Sequence, residues 1–320
     1  MSRGKRALVT GAGGFVGANL ARDLLRNGCE VHLLSHRNDQ TWRIDGIRDH
    51  CTVVEGDLCD RESVARIVAR SRPEWVFHCA VYGAYSWQES VERMVQTNVL
   101  GTVHLLQLCL AAGVESFVNT GSSSEYGYKD HAAAEDERIE PNSDYALTKA
   151  SATMYCRMVA ASADAAITTL RLYSVYGPYE DPGRFLPTLI RSGLEGRLPP
   201  LVAPDVARDY VSVEDVCLAY RLAAGRSRAG EPGAIYNVGT GKQTSVREAV
   251  AIARRLLGVS REPEWGSMPN RLWDTETWVA DARKIERELD WRPADDFERG
   301  FRRMVAWSRT RETSGSPAMK

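Results

Sequence analysis

The 320 residues are 43% hydrophobic, enough to bury a core in about two domains of ordinary size, which excludes disorder and fibrous structure. Charged residues make up 26% and almost cancel, 41 basic against 42 acidic, so no field would hold the chain on nucleic acid or an anionic membrane. The seven cysteines form no CxxC pair, which fits reduced thiols in a cytoplasmic chain. Between the basic start Ser2-Arg3-Gly4-Lys5-Arg6 and Thr10-Gly11 stand only Ala7, Leu8 and Val9, too few for a signal-peptide core. Nowhere do eighteen apolar residues run together, so no membrane span is expected.

In chain order, Ala7 to Thr10 reads as a buried strand, Gly17 to Asn27 as a helix, and Glu30 to Leu34 and Cys51 to Val54 as strands. Arg61 to Ser71 reads as a helix, Trp75 to Cys79 as a strand, Val91 to Ala112 as a long helix and Ser116 to Thr120 as a strand. Near-continuous apolar strands alternating with helices predict an α/β fold, a parallel sheet covered on both faces. Right-handed crossovers make it doubly wound, of Rossmann type. From Tyr173 the rhythm breaks at Gly177-Pro178, Asp181-Pro182-Gly183 and Leu198-Pro199-Pro200. A helix at Val213 to Ala224 and a strand at Ala234 to Val238 return to the sheet, so a second, smaller C-terminal domain is interleaved in sequence. The expected division is 1–172 with 206–238, 173–205 with 239–311, and a flexible tail at 312–320.

Directly after the first strand comes Gly11-Ala12-Gly13-Gly14-Phe15-Val16-Gly17. Glycines at intervals of three permit a tight strand-to-helix turn, close approach to a pyrophosphate and close packing of helix on sheet. A carboxylate at the end of the second strand would mark NAD, but the chain reads Ser35-His36-Arg37, with none before Asp39. A hydroxyl and a guanidinium suit a 2'-phosphate, so NADP(H) is favoured and NAD(H) stays possible.

Tyr145 and Lys149 stand four residues apart at the start of a helical pattern, which places both on one face. An ammonium beside a phenol is expected to lower the phenol's pKa and make it a usable acid/base. Upstream, Gly121-Ser122-Ser123-Ser124-Glu125-Tyr126-Gly127 follows another strand, and hydroxyls at the carboxyl end of a parallel strand face the ligand crevice. No metal site is read from the sequence.

Thr10-Gly11 with its glycine turn, Gly56-Asp57-Leu58, Ser122 with Tyr126-Gly127, Tyr145 with Lys149, Val175-Tyr176-Gly177-Pro178, and Arg208-Asp209-Tyr210-Val211 with Asp215 occur in this order. Together they resemble the extended short-chain dehydrogenase/reductase family, in its NAD-dependent epimerase/dehydratase branch acting on nucleotide sugars. The similarity runs from about residue 6 to 293. It implies that Tyr145 is the acid/base, that Lys149 binds the nicotinamide ribose, and that Ser122 hydrogen-bonds the reacting sugar oxygen. It further implies Asp57 beside the adenine with Leu58, Ala80 lining the cofactor, Asn98 holding the central helix, and Arg208 and Arg271 on the substrate pyrophosphate.

Members that eliminate water at C6 carry Asp-Glu where this chain has Ser123 and Ser124, so 4,6-dehydration is disfavoured and these serines become substrate contacts. Glu125 is one step out of register, and on a strand-like turn it would point the other way. Ser174 stands where the family usually has Asn, Tyr82 or Tyr85 is a candidate second proton donor with aromatic packing the favoured role, and Arg184 and Phe185 are candidate base or phosphate contacts. Two mechanisms remain: a 4-ketoreductase using NADPH on a 4-keto-6-deoxy sugar nucleotide, slightly favoured, and an epimerase at C4 or C2 that recycles a retained cofactor. A cofactor-binding sensor or scaffold is the non-enzymatic alternative. The family's dimer, a four-helix contact, would use the helices at Val91 to Ala112 and Asp144 to Ala161.

Overall fold

The computed structural model describes residues 3–36, 41–226, 230–270 and 275–313. Strands β1 (Arg6–Thr10), β2 (Glu30–Ser35), β3 (Thr52–Glu55), β4 (Trp75–His78), β5 (Ser116–Ser122), β6 (Ala166–Leu172) and β10 (Ile235–Val238) form one sheet in the order β10-β6-β5-β4-β1-β2-β3. Every pairing in it is parallel. The order reverses between β1 and β4, and the crevice at such a switch point is where doubly wound sheets bind ligands.

Strand side chains alternate between two cores. Ala7 and Val9 of β1, Trp75 and Phe77 of β4 and Val118 of β5 enter one core, which is covered by α1 (Phe15–Arg26) and α7 (Val213–Ala224). Leu8, Val76 and Phe117 enter the other, covered by α2 (Arg61–Ser71), α4 (Gly101–Ala111) and α5 (Asp144–Ala160). Burial on both faces explains why the strands lack a polar side. β6 escapes the sequence reading because Thr168, Thr169 and Arg171 interrupt its apolar run, yet all three are buried.

The long helix predicted from Val91 runs as α3 (Val91–Met94), a π-helical turn (Val95–Leu100) and α4. Among the described residues it alone is long and apolar enough to cross a membrane, by length and composition only. Here Leu105, Leu106 and Cys109 pack it on the sheet. Helix α1 begins at Phe15, earlier than the predicted Gly17, because Gly14 takes the extended cap conformation.

Beyond the sheet lie β7 (Ser174–Tyr176), β8 (Ala207–Arg208), β9 (Tyr210–Ser212), β11 (Thr244–Ser245), α6 (Phe185–Leu194), α8 (Val246–Leu257), α9 (Arg283–Leu289) and α10 (Phe297–Thr313). Tyr176, Leu189, Ile190, Val250, Phe301 and Met304 build a third core among β7, α6, α8 and α10. The sequence reading assigned none of these four helices.

Candidate active site

The glycine turn leaves β1 at Gly11, whose φ of +67° is left-handed and where a Cβ would lie 2.6 Å from the Ala80 nitrogen. A Cβ on Gly17 would collide with the Gly11 carbonyl, so both positions require glycine. Gly14 N–H donates to Gly11 O at 3.0 Å, and Gly14 caps α1 without any side chain. Phe15 and Val16 then start the helix with no acidic residue in the first turn, which leaves a helix N-terminus suited to an anion. This cradle fits the pyrophosphate of a dinucleotide.

Along the same crevice, Ser35 is buried at the end of β2, its hydroxyl donating to His36 O at 3.4 Å. Arg37 lies outside the described residues, as does Arg271. Asp57 accepts from Cys59 N–H at 2.8 Å and sits 4.0 Å from His36 Nε2, while Leu58 is buried against Gly101.

A buried chain of hydrogen bonds joins cradle to helix. Ala80 N–H donates to Thr10 Oγ1 at 3.1 Å, and Thr102 Oγ1 donates to Asn98 O at 2.7 Å. The bonds between them therefore run one way: the Thr10 hydroxyl donates to His78 Nδ1 at 2.8 Å, and His78 Nε2–H donates to Thr102 Oγ1 at 2.9 Å. Burial holds the imidazole neutral, its pKa pushed down to about 3. Asn98, in the π-helical turn, clamps the Tyr82 backbone, accepting from its N–H and donating to its carbonyl at 2.8 Å each. A π turn frequently marks a functional position because it re-aims side chains.

The Ser122 side chain favours the ionised form of the Tyr145 phenol. Lys149, on the same face of α5, is buried, and burial pulls its ammonium down while Glu125, Cys156 and Cys79 favour the charge. The expected lowering of the phenol is not found. Burial pushes Tyr145 above its ordinary value, against the opposing pull of Ser122 and Arg184, because desolvation of the phenolate outweighs the neighbouring charge.

Ser122 opens a 3₁₀ turn, Ser123–Tyr126, rather than a strand-like turn, so strand alternation does not set the direction of Glu125. Glu125 is fully buried by a capping box: Ser122 N–H donates to its Oε1 at 2.8 Å, Thr153 Oγ1 donates to Oε1 at 3.0 Å, and Arg171 Nε donates to Oε2 at 2.9 Å. The carboxylate faces the interior and braces Ser122.

Ser123 accepts from Trp278 Nε1 at 3.1 Å, and Arg208 stands 5.5 Å from that indole ring while its guanidinium donates to Ala207 O at 2.8 Å. Ser124 N–H donates to Ser122 Oγ at 3.2 Å, and Ser174 N–H donates to Asp209 O at 3.0 Å. Arg93 lies 4.9 Å from the Tyr82 ring. Arg184 donates to Ala84 O at 2.9 Å and lies 5.3 Å from the Tyr85 ring, which stacks on Trp87 at 4.5 Å. Thus Ser122 and Arg184 act on the Tyr145 phenol, Lys149 stands one turn along the same helix, and Ser123 joins Trp278 and Arg208. Among the described residues no cluster of three His, Cys, Asp or Glu could hold a metal.

The sequence reading missed the Thr10–His78–Thr102 chain, Trp278, Arg43 and Glu180. Arg43 is buried, with Nε donating to Tyr179 O at 2.8 Å. Burial raises the Glu180 carboxyl to about 8, and its Oε2 has no protein partner. The partners of His78, Trp278 and Arg43 are distant in sequence, so only the fold shows them; the Thr10 and His78 strand ends carried the one available signal.

The model of the NAD dependent epimerase/dehydratase family matches residues 7–239. UDP-glucose 4-epimerase from Mycolicibacterium smegmatis is 31% identical, the match covering 96% of this chain and 99% of that protein. A dTDP-glucose 4,6-dehydratase of Streptomyces griseus is 29% identical, covering 94% of this chain and 93% of its own. Among solved structures, Thermotoga maritima UDP-glucose 4-epimerase with UDP-glucose superposes with a TM-score of 0.86 at 27% identity, covering 96% and 99% of the two chains. Thermus thermophilus UDP-glucose 4-epimerase in complex with NAD gives 0.82 at 31% identity, covering 95% and 99%. The protein belongs to the NAD-dependent epimerase/dehydratase family.

Proposed function

We propose that this chain is a nucleotide-sugar 4-epimerase that retains and recycles a nicotinamide dinucleotide. The observation that carries the reading is Tyr145 one helical turn before buried Lys149 on α5, its phenol under the influence of Ser122, in a site with serines at 123 and 124. Its full-length similarity to UDP-glucose 4-epimerases supports it, and the serines leave elimination of water without its acid and base.

The bound nicotinamide would take and return the hydride and, when oxidised, bring a positive charge that favours phenolate. Tyr145 Oη takes the proton of the C4 hydroxyl as that carbon loses hydride, giving a 4-keto sugar, and returns it to the opposite face's alkoxide. Ser122 Oγ donates to the sugar oxygen, Lys149 orients the ribose, and Arg184 and Arg208 meet the substrate's polar groups and pyrophosphate.

A second reading, reduction of a 4-keto-6-deoxy sugar nucleotide by NADPH, is favoured by two observations. Tyr145 is held as the neutral phenol, ready to donate a proton, and β2 ends at Ser35 with no carboxylate to meet a ribose 2'-hydroxyl. The helical faces bearing Val91, Val95 and Leu100, and Leu147, Met154 and Met158, are exposed, which supports a homodimer through α3 to α5.

Denaturing the purified protein and identifying released nucleotide by absorbance and mass tests the reading. Stoichiometric NAD or NADP, with interconversion of UDP-glucose and UDP-galactose or their dTDP counterparts, is the expected result. An empty protein that consumes NADPH with a 4-keto-6-deoxy sugar nucleotide would establish the reductase instead.

A further inference from the structure

Arg43 is 5% exposed and lies between two segments remote from it in sequence. Its NH1 donates to Gly13 O, inside the glycine turn, at 3.3 Å. Its Nε donates to Tyr179 O at 2.8 Å, and its NH2 stands 3.8 Å from Asp181 Oδ2. One guanidinium thus ties the dinucleotide cradle to the loop 177–184 that follows β7.

Two further contacts run between the same partners. Asn19 of α1 donates to Phe15 O at 2.9 Å and to Pro178 O at 2.8 Å. Arg22 of α1 donates to Ala18 O at 3.0 Å and lies 3.9 Å from the centre of the Tyr179 ring. Tyr179 has a φ of +69°, a left-handed conformation unusual for a tyrosine, so the loop is held there by its surroundings. The ring also meets Trp307 of α10 at 5.0 Å. The far end of the loop carries Arg184, whose charge acts on the Tyr145 phenol.

We infer that Arg43 is a positioning residue, a clasp that fastens the loop 177–184 onto the dinucleotide cradle so that the cofactor escapes slowly and the substrate-facing Arg184 is held in register with it. The inference rests on the proposed dinucleotide reading. A planar fork suits the task, because it makes separate bonds to the two segments at once, which a lysine does not.

The test uses the full chain as R43Q, R43K and D181N, with NAD and NADP as probes. Each protein is loaded, desalted and diluted, and the loss of bound dinucleotide with time is measured without any sugar. R43Q is expected to release dinucleotide at least about tenfold faster than wild type, roughly the loss of one buried charge-assisted bond. R43K should fall between them, and D181N should release several-fold faster although its cradle is untouched. The melting temperatures of the cofactor-free variants should stay within a few degrees of wild type. Wild-type release rates in R43Q and D181N would overturn the clasp, as would a loss explained wholly by unfolding of the cofactor-free chains. A wild-type chain that takes up neither dinucleotide would overturn the proposed function as well, whereas uptake by wild type with unchanged R43Q overturns the clasp alone.

Discussion

Asn98 Nδ2 donates to Thr148 Oγ1 at 3.0 Å, joining the π-helical turn to the helix that carries Tyr145 and Lys149. Thr148 passes the contact on, its hydroxyl donating to Tyr145 O at 2.9 Å. Through Asn98 the loop after β4, the central helix and the candidate acid/base are braced by one carboxamide. Asn98→Ala would leave the Tyr82 N–H and carbonyl unpaired in a half-buried place. We expect a loss of about 1–2 kcal/mol, from two half-buried backbone groups that lose their partner, read as a lower urea midpoint. Turnover should fall as well, since the backbone of Tyr145 loses its support.

Tyr145→Phe should lower turnover by about 10² to 10⁴, the usual worth of a positioned acid/base, with dinucleotide binding nearly unchanged. Steady-state kinetics alongside a dinucleotide titration checks this. Wild-type turnover in the variant would remove Tyr145 from the chemistry.

Glu125→Gln keeps the shape of the side chain but strands the Arg171 guanidinium, which is 3% exposed. Breaking a buried pair on one side costs about 3–5 kcal/mol. The double substitution Glu125→Leu with Arg171→Leu should recover part of that in chemical denaturation, because it leaves no unpaired charge. Activity should not recover with stability, since a leucine at 125 offers Ser122 N–H no acceptor.

His78 predicts an acid-sensitive fold. Its pKa is near 3 when folded against 6.5 ordinarily, so between these values the unfolded chain binds the extra proton. Stability from this residue is therefore complete above about pH 6.5 and is lost as pH falls toward 3, by about 2 kcal/mol at pH 5. Urea unfolding at pH 7.5 and 5 measures it. His78→Gln should lose less stability than wild type over the same interval, and equal losses would show that other groups set the acid limit.

Arg37→Ala should weaken NADPH at least about tenfold more than NADH if a 2'-phosphate is bound there, the loss expected of one charge-assisted contact. Paired titrations with the two cofactors decide it, and equal losses would return Arg37 to an ordinary surface charge.

Much of the fold was legible because its signals are local. A strand buried on both faces has to be apolar throughout, a pyrophosphate cradle has to omit Cβ atoms at Gly11 and Gly17, and two residues four apart on a helix share a face whatever surrounds them. Thus β1 to β5, the glycine turn and the Tyr145–Lys149 pair could be read from short windows. β6 could not, because its polar residues find partners far along the chain: Arg171 with Glu125, and Thr169 with Asn119 at 3.2 Å. The same limit hid Arg43, whose partners stand at 13, 179 and 181, and the direction of Glu125, which a 3₁₀ turn rather than a strand decides. It also misled the expectation for Tyr145, since the spacing of a lysine tells nothing of how much water the phenol loses. Spacing determined which chemical groups share a face; desolvation and long-range pairing, which exist only once the chain is folded, decided their charge and what holds them.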